Sequence, residues 1–360
     1  MFTAAWFAVV MGFGGLIDAV AKIWLVGGGA WIQDAVWVNT GIFAVLISLW
    51  IVRWFLAPQT MWREMTHPAS GHYFALVPIA IALMGLNWSL MGAVFVPSVL
   101  DLIMNVLWIV SVGLGVLFSL IITEAMMRQS VNNPGHVSFA WLLGPVATAL
   151  FPLLGTVVVQ ADLHRSVGWV RLVDVTDIAL FGIGLFMFIF VSAFLFARYF
   201  SAPQPPAEVT PTSWLLLGAA SVLSLGLLGI MDSSVQLHLV HPSPFAFVLA
   251  LALWGLAGWS FFLGLLMSLR VWFAKQMRFT LAWWAFVFPL SAYAIDSRSL
   301  ASAGHIQWLS GFSGGLMVVV LLLFLIVVLE TIVSLITGRL LKPQTVAGPE
   351  PTASNGAQTP

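Results

Sequence analysis

No cysteine occurs among the 360 residues, which removes disulfides, thiolate metal sites and thiol nucleophiles together. Charge is scarce as well. Only 7% of the chain is charged, where a soluble domain carries roughly 25%, so the chain cannot cover itself with a wetted surface. Positive and negative residues balance to a net charge of zero, leaving no basic surface of the kind nucleic acid requires. There is no HExxH, no GxSxG and no Walker-type loop, and GFGG at 12–15 lies inside an apolar segment where it cannot cradle phosphate. The histidines (67, 72, 136, 164, 238, 241, 305) all fall in connections or at segment ends, whereas bis-histidine haem ligation needs pairs in mid-membrane. His67 with His72, or His238 with His241, could meet a surface metal but lack a third ligand. With no nucleophile–base pair and no metal constellation, an intramembrane enzyme is disfavoured, and neither a cofactor nor a metal is expected.

What the chain does have is apolar length. It is 61% hydrophobic with a mean hydropathy of +1.04, and its long unbroken apolar runs exclude the alternation of a barrel strand. An all-α integral membrane protein follows. About twenty apolar residues cross the bilayer, which predicts ten spans near 4–26, 35–57, 73–92, 99–122, 138–160, 175–197, 213–231, 245–269, 280–297 and 311–337. The first lacks a basic n-region and reads as a span, not a cleaved signal. The 18 tryptophans suit aromatic belts at both interfaces. Residues 1–340 form one membrane domain, and 341–360, rich in Pro, Ala, Gly and Thr, read as a disordered cytoplasmic tail. Arg53, Arg63, Arg128, Arg198, Arg270, Lys275, Arg278, Arg339 and Lys342 fall on one side, and Lys22, Arg165, Arg171 and Arg298 on the other. The positive-inside rule therefore puts both termini in the cytoplasm.

Odd and even spans differ. The even ones are bulky on every side, as in GIFAVLISLWIVRWF (41–55) and LMVVVLLLFLIVVL (316–329). Each odd span carries a stripe of small or helix-bending residues at steps of three or four, which share one helix face. The stripes are Ala8, Gly12, Gly15 and Ala19; Pro78, Ala82, Gly85 and Ser89; Gly144, Thr148, Pro152 and Gly155; Ala219, Val222, Gly226 and Gly229. The ninth has Ala285, Phe288, Pro289 and Ala292, with the bulky ring where the others are small. One stripe alone is a packing seam. Five in alternate spans imply a repeated hairpin of one inner and one outer helix, arranged as a pseudo-fivefold ring around a central pore. Five axes about 9 Å apart leave a hole of roughly 2.5 Å radius once helix half-widths are subtracted. Small residues keep such a hole open to a small ion, and a phenylalanine closes it.

AAWFAVVMGFGGL (4–16), WLLGPVATALFP (141–152) and above all FTLAWWAFVFPLSAYA (279–294) resemble the tellurite-resistance/dicarboxylate transporter family. That family includes TehA-type bacterial channels and the slow anion channels of plant guard cells. The resemblance runs from Ala4 to about Gly338. It implies five hairpins around a pore, a homotrimer with one pore per subunit, and a gating phenylalanine before the ninth-span proline, at Phe288. Phe286 lies off that face. Val287 stands where the family often has serine or threonine.

The expected function is a membrane anion channel or facilitative anion transporter of the cytoplasmic membrane, passing small inorganic anions and gated at Phe288. The alternative is a proton-coupled C4-dicarboxylate carrier or an exporter of sulfite or tellurite. Proton coupling calls for a titratable group within the membrane, and beyond Asp18 the inner stripes supply none. A phenyl face carries negative potential and repels an anion while its edge does not, so a turned ring could switch the barrier. Desolvating an ion costs of order 20 kcal/mol unless something replaces its water; hydroxyls such as Ser89 and Thr148 and bent-helix backbone are the available substitutes. Asp18 and Lys22, and Glu124 and Arg128, are spaced as local ion pairs; Lys22 and Arg278 could otherwise draw anions to the two mouths. Asp101, Asp174, Asp177, Asp232 and Glu330 lie towards span ends, where carboxylates are expected to reach water.

Overall fold

Backbone groups inside hydrocarbon must be satisfied within the chain itself, and helices do this locally. The computed structural model describes residues 2–24, 29–129, 137–163 and 166–341. Over these the chain forms eleven α-helices and no strand: α1 (Phe7–Ile23), α2 (Ala30–Leu56), α3 (Pro58–Thr66), α4 (Leu76–Ser89), α5 (Pro97–Gln129), α6 (Leu143–Asp162), α7 (Val167–Ser201), α8 (Leu215–Gln236), α9 (Pro244–Phe273), α10 (Trp284–Ala303) and α11 (Gln307–Ile336). The Asn133-Pro134-Gly135 connection, His136, His164, Arg165, Lys342 and the predicted tail lie outside the described residues.

Burial sorts the helices in the alternation that side-chain bulk predicted. Between 78 and 83% of the central stretches of α1, α4, α6 and α8 is buried, against 22 to 28% for α2, α5, α7, α9 and α11. In α10 every residue from Trp284 to Ser297 is buried. The five buried helices contact one another in sequence: α1 touches α4, α4 touches α6, α6 touches α8, α8 touches α10, and α10 touches α1. Each of the five opens on a 3-10 turn: Ala4–Trp6, Gly71–Ala75, Phe139–Leu142, Ala207–Trp214 and Leu281–Trp283. These turns repeat the same cyclic order of neighbours, so the N-termini of all five buried helices meet at one end.

Nine helices among the described residues are long and apolar enough to cross a membrane, one fewer than the spans predicted. The exception is α10. It has 20 residues, enough for about 30 Å of rise, but Asp296 and Arg298 dilute its apolar character. Lipid does not test its composition, because α1, α8, α9 and α11 all pack on it. The outer helices overshoot their predicted ends instead. Pro97 and Pro244, which read as connections, are the first residues of α5 and α9, where a missing N–H is harmless and the fixed φ suits a helix. Pro58 likewise opens α3, an amphipathic helix absent from the predicted spans; Met61 and Met65 face inward and Glu64 receives Arg53 through both guanidinium nitrogens.

Three helices end on a residue in the left-handed region that is not glycine: His238 (φ 54°), Lys275 (φ 55°) and His305 (φ 53°). Each lies two positions past its helix, and the next residue's N–H reaches back into the last turn, as with Ile306 to the Ala301 carbonyl at 2.9 Å. That is the Schellman closure, so His238 and His305 act as helix stops.

Candidate functional site: the buried helix cycle and its cavity

A cavity of about 1830 Å³ opens at the end where the five 3-10 turns meet. On the buried helices it extends to Ala8 and Met11 of α1, Leu76 of α4, Leu143 of α6, Leu215 of α8, and Ala285 and Phe286 of α10, and it reaches sideways to α9 and α11. Its rim carries Arg278 and Arg339 but also Glu64, Glu208 and Glu330, so the mouth holds both signs. Thr280 closes the first turn before α10 by accepting from the Ala282 amide at 3.3 Å, and Trp283 Nε1 donates to the Arg278 carbonyl at 3.0 Å. Arg278 is thereby fixed by its backbone while its side chain stays exposed. Lys22, also exposed, sits in the last turn of α1, at its other end.

One turn deeper than Ala285 lies Phe288, 3% exposed. A β-carbon on Gly15 would come within 2.9 Å of its Cδ2 and 3.7 Å of the Ser291 Cβ. The ring therefore occupies room on the α1 face that only glycine leaves free. Behind it, Pro289 rests against Gly218 of α8 at 3.1 Å from a would-be β-carbon. Proline lacks the N–H that would bond back to Ala285. Phe288 and Pro289 thus each pack against a neighbouring helix at a glycine, Gly15 of α1 and Gly218 of α8.

The remaining stripe residues divide. Ala8 and Ala285 line the cavity. Ala19, Pro78, Ala82, Ala219, Val222 and Ala292 are buried on the inner helices. Gly12 faces the Trp284 ring, whose Nε1 donates to Thr331 of α11 at 3.2 Å, so this glycine looks towards the outer layer. A β-carbon on Gly85 would come within 2.6 Å of the Leu154 side chain of α6. Gly226 faces the Ala149 carbonyl and Gly229 the Thr156 hydroxyl, both on α6. These are close helix–helix approaches of the kind small residues permit in a bilayer, where apolar burial alone does not drive association. Ser89 spends its hydroxyl on the Leu86 carbonyl at 2.6 Å.

The fifth-span stripe is a correction. Gly155 faces the Asp177 carboxylate of α7, with no room for a β-carbon. Gly144 and Thr148 line a second, separate pocket between α5 and α7, and Thr148 Oγ1 donates to the Pro145 carbonyl at 3.1 Å. Pro152 lies on the same face by spacing, and its carbonyl accepts from Thr156 at 2.8 Å. This face of α6 meets the outer helices, because α7 brings in a carboxylate that only glycine accommodates.

Buried acids are a second correction. Asp174 and Asp177 are each 1% exposed. Asp174 takes the hydroxyls of Ser233 and Ser234, and Asp177 the Trp108 indole at 3.1 Å. Asp101 is buried too. Asp18 accepts from Asn87 at 2.9 Å instead of pairing with Lys22, and Asn87 is itself reached by Asn39 at 3.0 Å, tying α1, α2 and α4 together. Asp296 of α10 is wholly buried; one oxygen accepts from Ser224 at 2.7 Å and the other has no partner. The inner layer therefore does hold a titratable group besides Asp18. Asparagine and aspartate inside otherwise apolar runs are the signal that points to these positions. Only Glu124 and Arg128 keep the expected local pair, at 2.6 Å and exposed.

Residues 1–332 match the family model described as voltage-dependent anion channel, SLAC1. An uncharacterized transporter of Methanocaldococcus jannaschii is 24% identical over 95% of this chain and 97% of its own length. A second from the same organism is 22% identical over 95% of both. The malic acid transport protein of Schizosaccharomyces pombe is 19% identical over 85% of this chain and 74% of its own. With a family model spanning nearly all of it, the chain belongs to the SLAC1 family of voltage-dependent anion channels.

Proposed function

We propose that α1, α4, α6, α8 and α10 form a pseudo-fivefold ring around a pore for small anions, and that Phe288 bars it. The observation that carries this reading is the place of Phe288. It lies one turn beyond Ala285 and two residues beyond Phe286, the cavity residues of α10, with its ring over Gly15 of the adjoining helix. The cyclic order of helix neighbours and the shared end of the five 3-10 turns support a common axis. Ten crossings, with α10 shielded from lipid, agree with cytoplasmic termini, and the cavity is then the cytoplasmic mouth of a channel in the cell's plasma membrane. The family resemblance adds a homotrimer. Little charge is available along the inner face, so ions keep part of their water and selectivity among monovalent anions is weak.

The test is planar-bilayer recording of purified wild type and Phe288→Ala. Unitary, anion-selective currents that rise about tenfold or more, equivalent to lowering a barrier by about 1.4 kcal/mol, support the gate. Unchanged currents from a folded variant would falsify it.

A second reading is favoured by Asp296, a buried carboxyl with one unpartnered oxygen inside α10, and by the malic acid transport protein among the relatives. Proton-coupled carriers place such groups in the membrane. Silent bilayers, with malate uptake into vesicles driven by a pH gradient and abolished in Asp296→Asn, would select it.

A further inference from the structure

Between α5 and α7, against the outward face of α6, lies a pocket of about 430 Å³. Among the described residues that line it there is no Asp, Glu, Lys or Arg, so its walls offer no fixed charge to a phosphate or carboxylate. Its rim is built from side chains that face away from the protein: Leu120 and Met127 on α5, Ile183 and Phe190 on α7, all 40% exposed or more. In a membrane chain that side is lipid.

The inner end of the pocket is not simply greasy. Trp141 and His72 both line it, and each is more than nine-tenths buried. The Trp141 Nε1–H has no partner. His72 faces the Pro68 carbonyl without reaching hydrogen-bond geometry, so its ring nitrogens are also unsatisfied. Buried donors left unmade are expensive, and a polar site with room for a guest is the usual remedy. The floor is Gly144, whose β-carbon position meets nothing within 4 Å.

We infer that this pocket takes one acyl chain of a membrane glycerolipid, with an uncharged ester carbonyl accepting from the Trp141 indole. An acyl chain matches the uncharged, lipid-open walls. The ester supplies the acceptor that the donor at the inner end lacks, at the depth where α6 begins. The guest lies on an inner helix, so its presence bears on the packing of α6. The inference needs the chain to span a bilayer but does not depend on the pore or on Phe288.

The full chain is reconstituted into vesicles containing phosphatidylcholine with a diazirine at the end of one acyl chain, irradiated, and the labelled peptides are mapped. Label concentrates on Leu120 and Ile183, at the end of the pocket away from Trp141, falls at least about tenfold in Gly144→Phe, which fills the floor, and about three- to tenfold in Trp141→Phe, the range expected for one hydrogen bond. Circular dichroism and size-exclusion behaviour confirm that both variants fold. Label spread evenly over α2, α5, α7, α9 and α11, or unchanged in Gly144→Phe, overturns the assignment. So does crosslinking between two copies, in unlabelled lipid, when the diazirine is carried instead by photo-methionine in place of Met187, which would make the groove a subunit contact. Anion currents are not the readout, so loss of labelling and loss of the gate are separately visible.

Discussion

Helices α6 and α10 start from the same plan. Each follows a 3-10 turn, each carries an interior proline (Pro152 and Pro289), and each has small residues at steps of three and four. They use the plan on opposite sides. In α10, Ala285 points into the cavity and Phe288 reaches across to Gly15. In α6, Gly144, Thr148 and Gly155 turn towards α5 and α7. A period of three and four tells which residues share a face; what the face meets is decided by the neighbour, and here by where a partner needs room. Asp177 needs it on α6, and Phe288 needs it on α1.

The contrast can be broken within one stripe. Gly155→Leu should disrupt the fold, since even a β-carbon there overlaps the Asp177 carboxyl; a loss of more than about 3 kcal/mol, seen as aggregation or absent expression, is expected of overpacking against a buried, hydrogen-bonded polar group. Gly144→Ala, about three turns away on the same face, should be neutral or stabilising by up to about 1 kcal/mol, because its surroundings are open and glycine weakens helices. Equal thermal shifts for the two would show that the α6 stripe is one uniform seam. A smaller effect belongs to Ser224→Ala, which leaves the Asp296 carboxyl without its one hydroxyl. It should lower stability by about 1–3 kcal/mol, read as an earlier melt in detergent; an unchanged melt would mean that the Asp296 environment is already relieved by water. The smallest belongs to Glu124→Gln. Its pair with Arg128 is exposed on both sides, so the change should stay within about 0.5 kcal/mol, and a larger loss would place this pair in a contact with another molecule.

Much of the architecture was legible because bulk and burial follow each other in a bilayer. GIFAVLISLWIVRWF belongs to an outer helix and AAWFAVVMGFGGL to an inner one, as composition predicts. Helix ends were harder, since proline stops a helix from its interior but starts one from its first position; Pro58, Pro97 and Pro244 all do the latter. Phe288 is singled out in the sequence by the proline after it and the family motif, but its burial over Gly15 is not visible there. The burial of the acids is not visible either. A carboxylate near a span end reads as wetted, and nothing local to Asp174 foretells Ser233 and Ser234, which arrive from 59 and 60 residues further on. Met11 was missed for a related reason: it lines the cavity with Ala8, but flexibility and size disguise it as ordinary packing.

The shortfall of α10 in apolar character also bears on how the protein is made. A charge at the centre of a spanning segment resists insertion by about 2.5–3.5 kcal/mol, and α10 carries both Asp296 and Arg298. Its immediate successor, α11, is the most apolar of the nine candidate spans and packs along it. The two can enter as a pair, the greasy member carrying the reluctant one. Its other flank needs α1, synthesised nearly three hundred residues before. Helix α1 must therefore wait, with Gly12 and Gly15 uncovered, until α10 arrives to close over it.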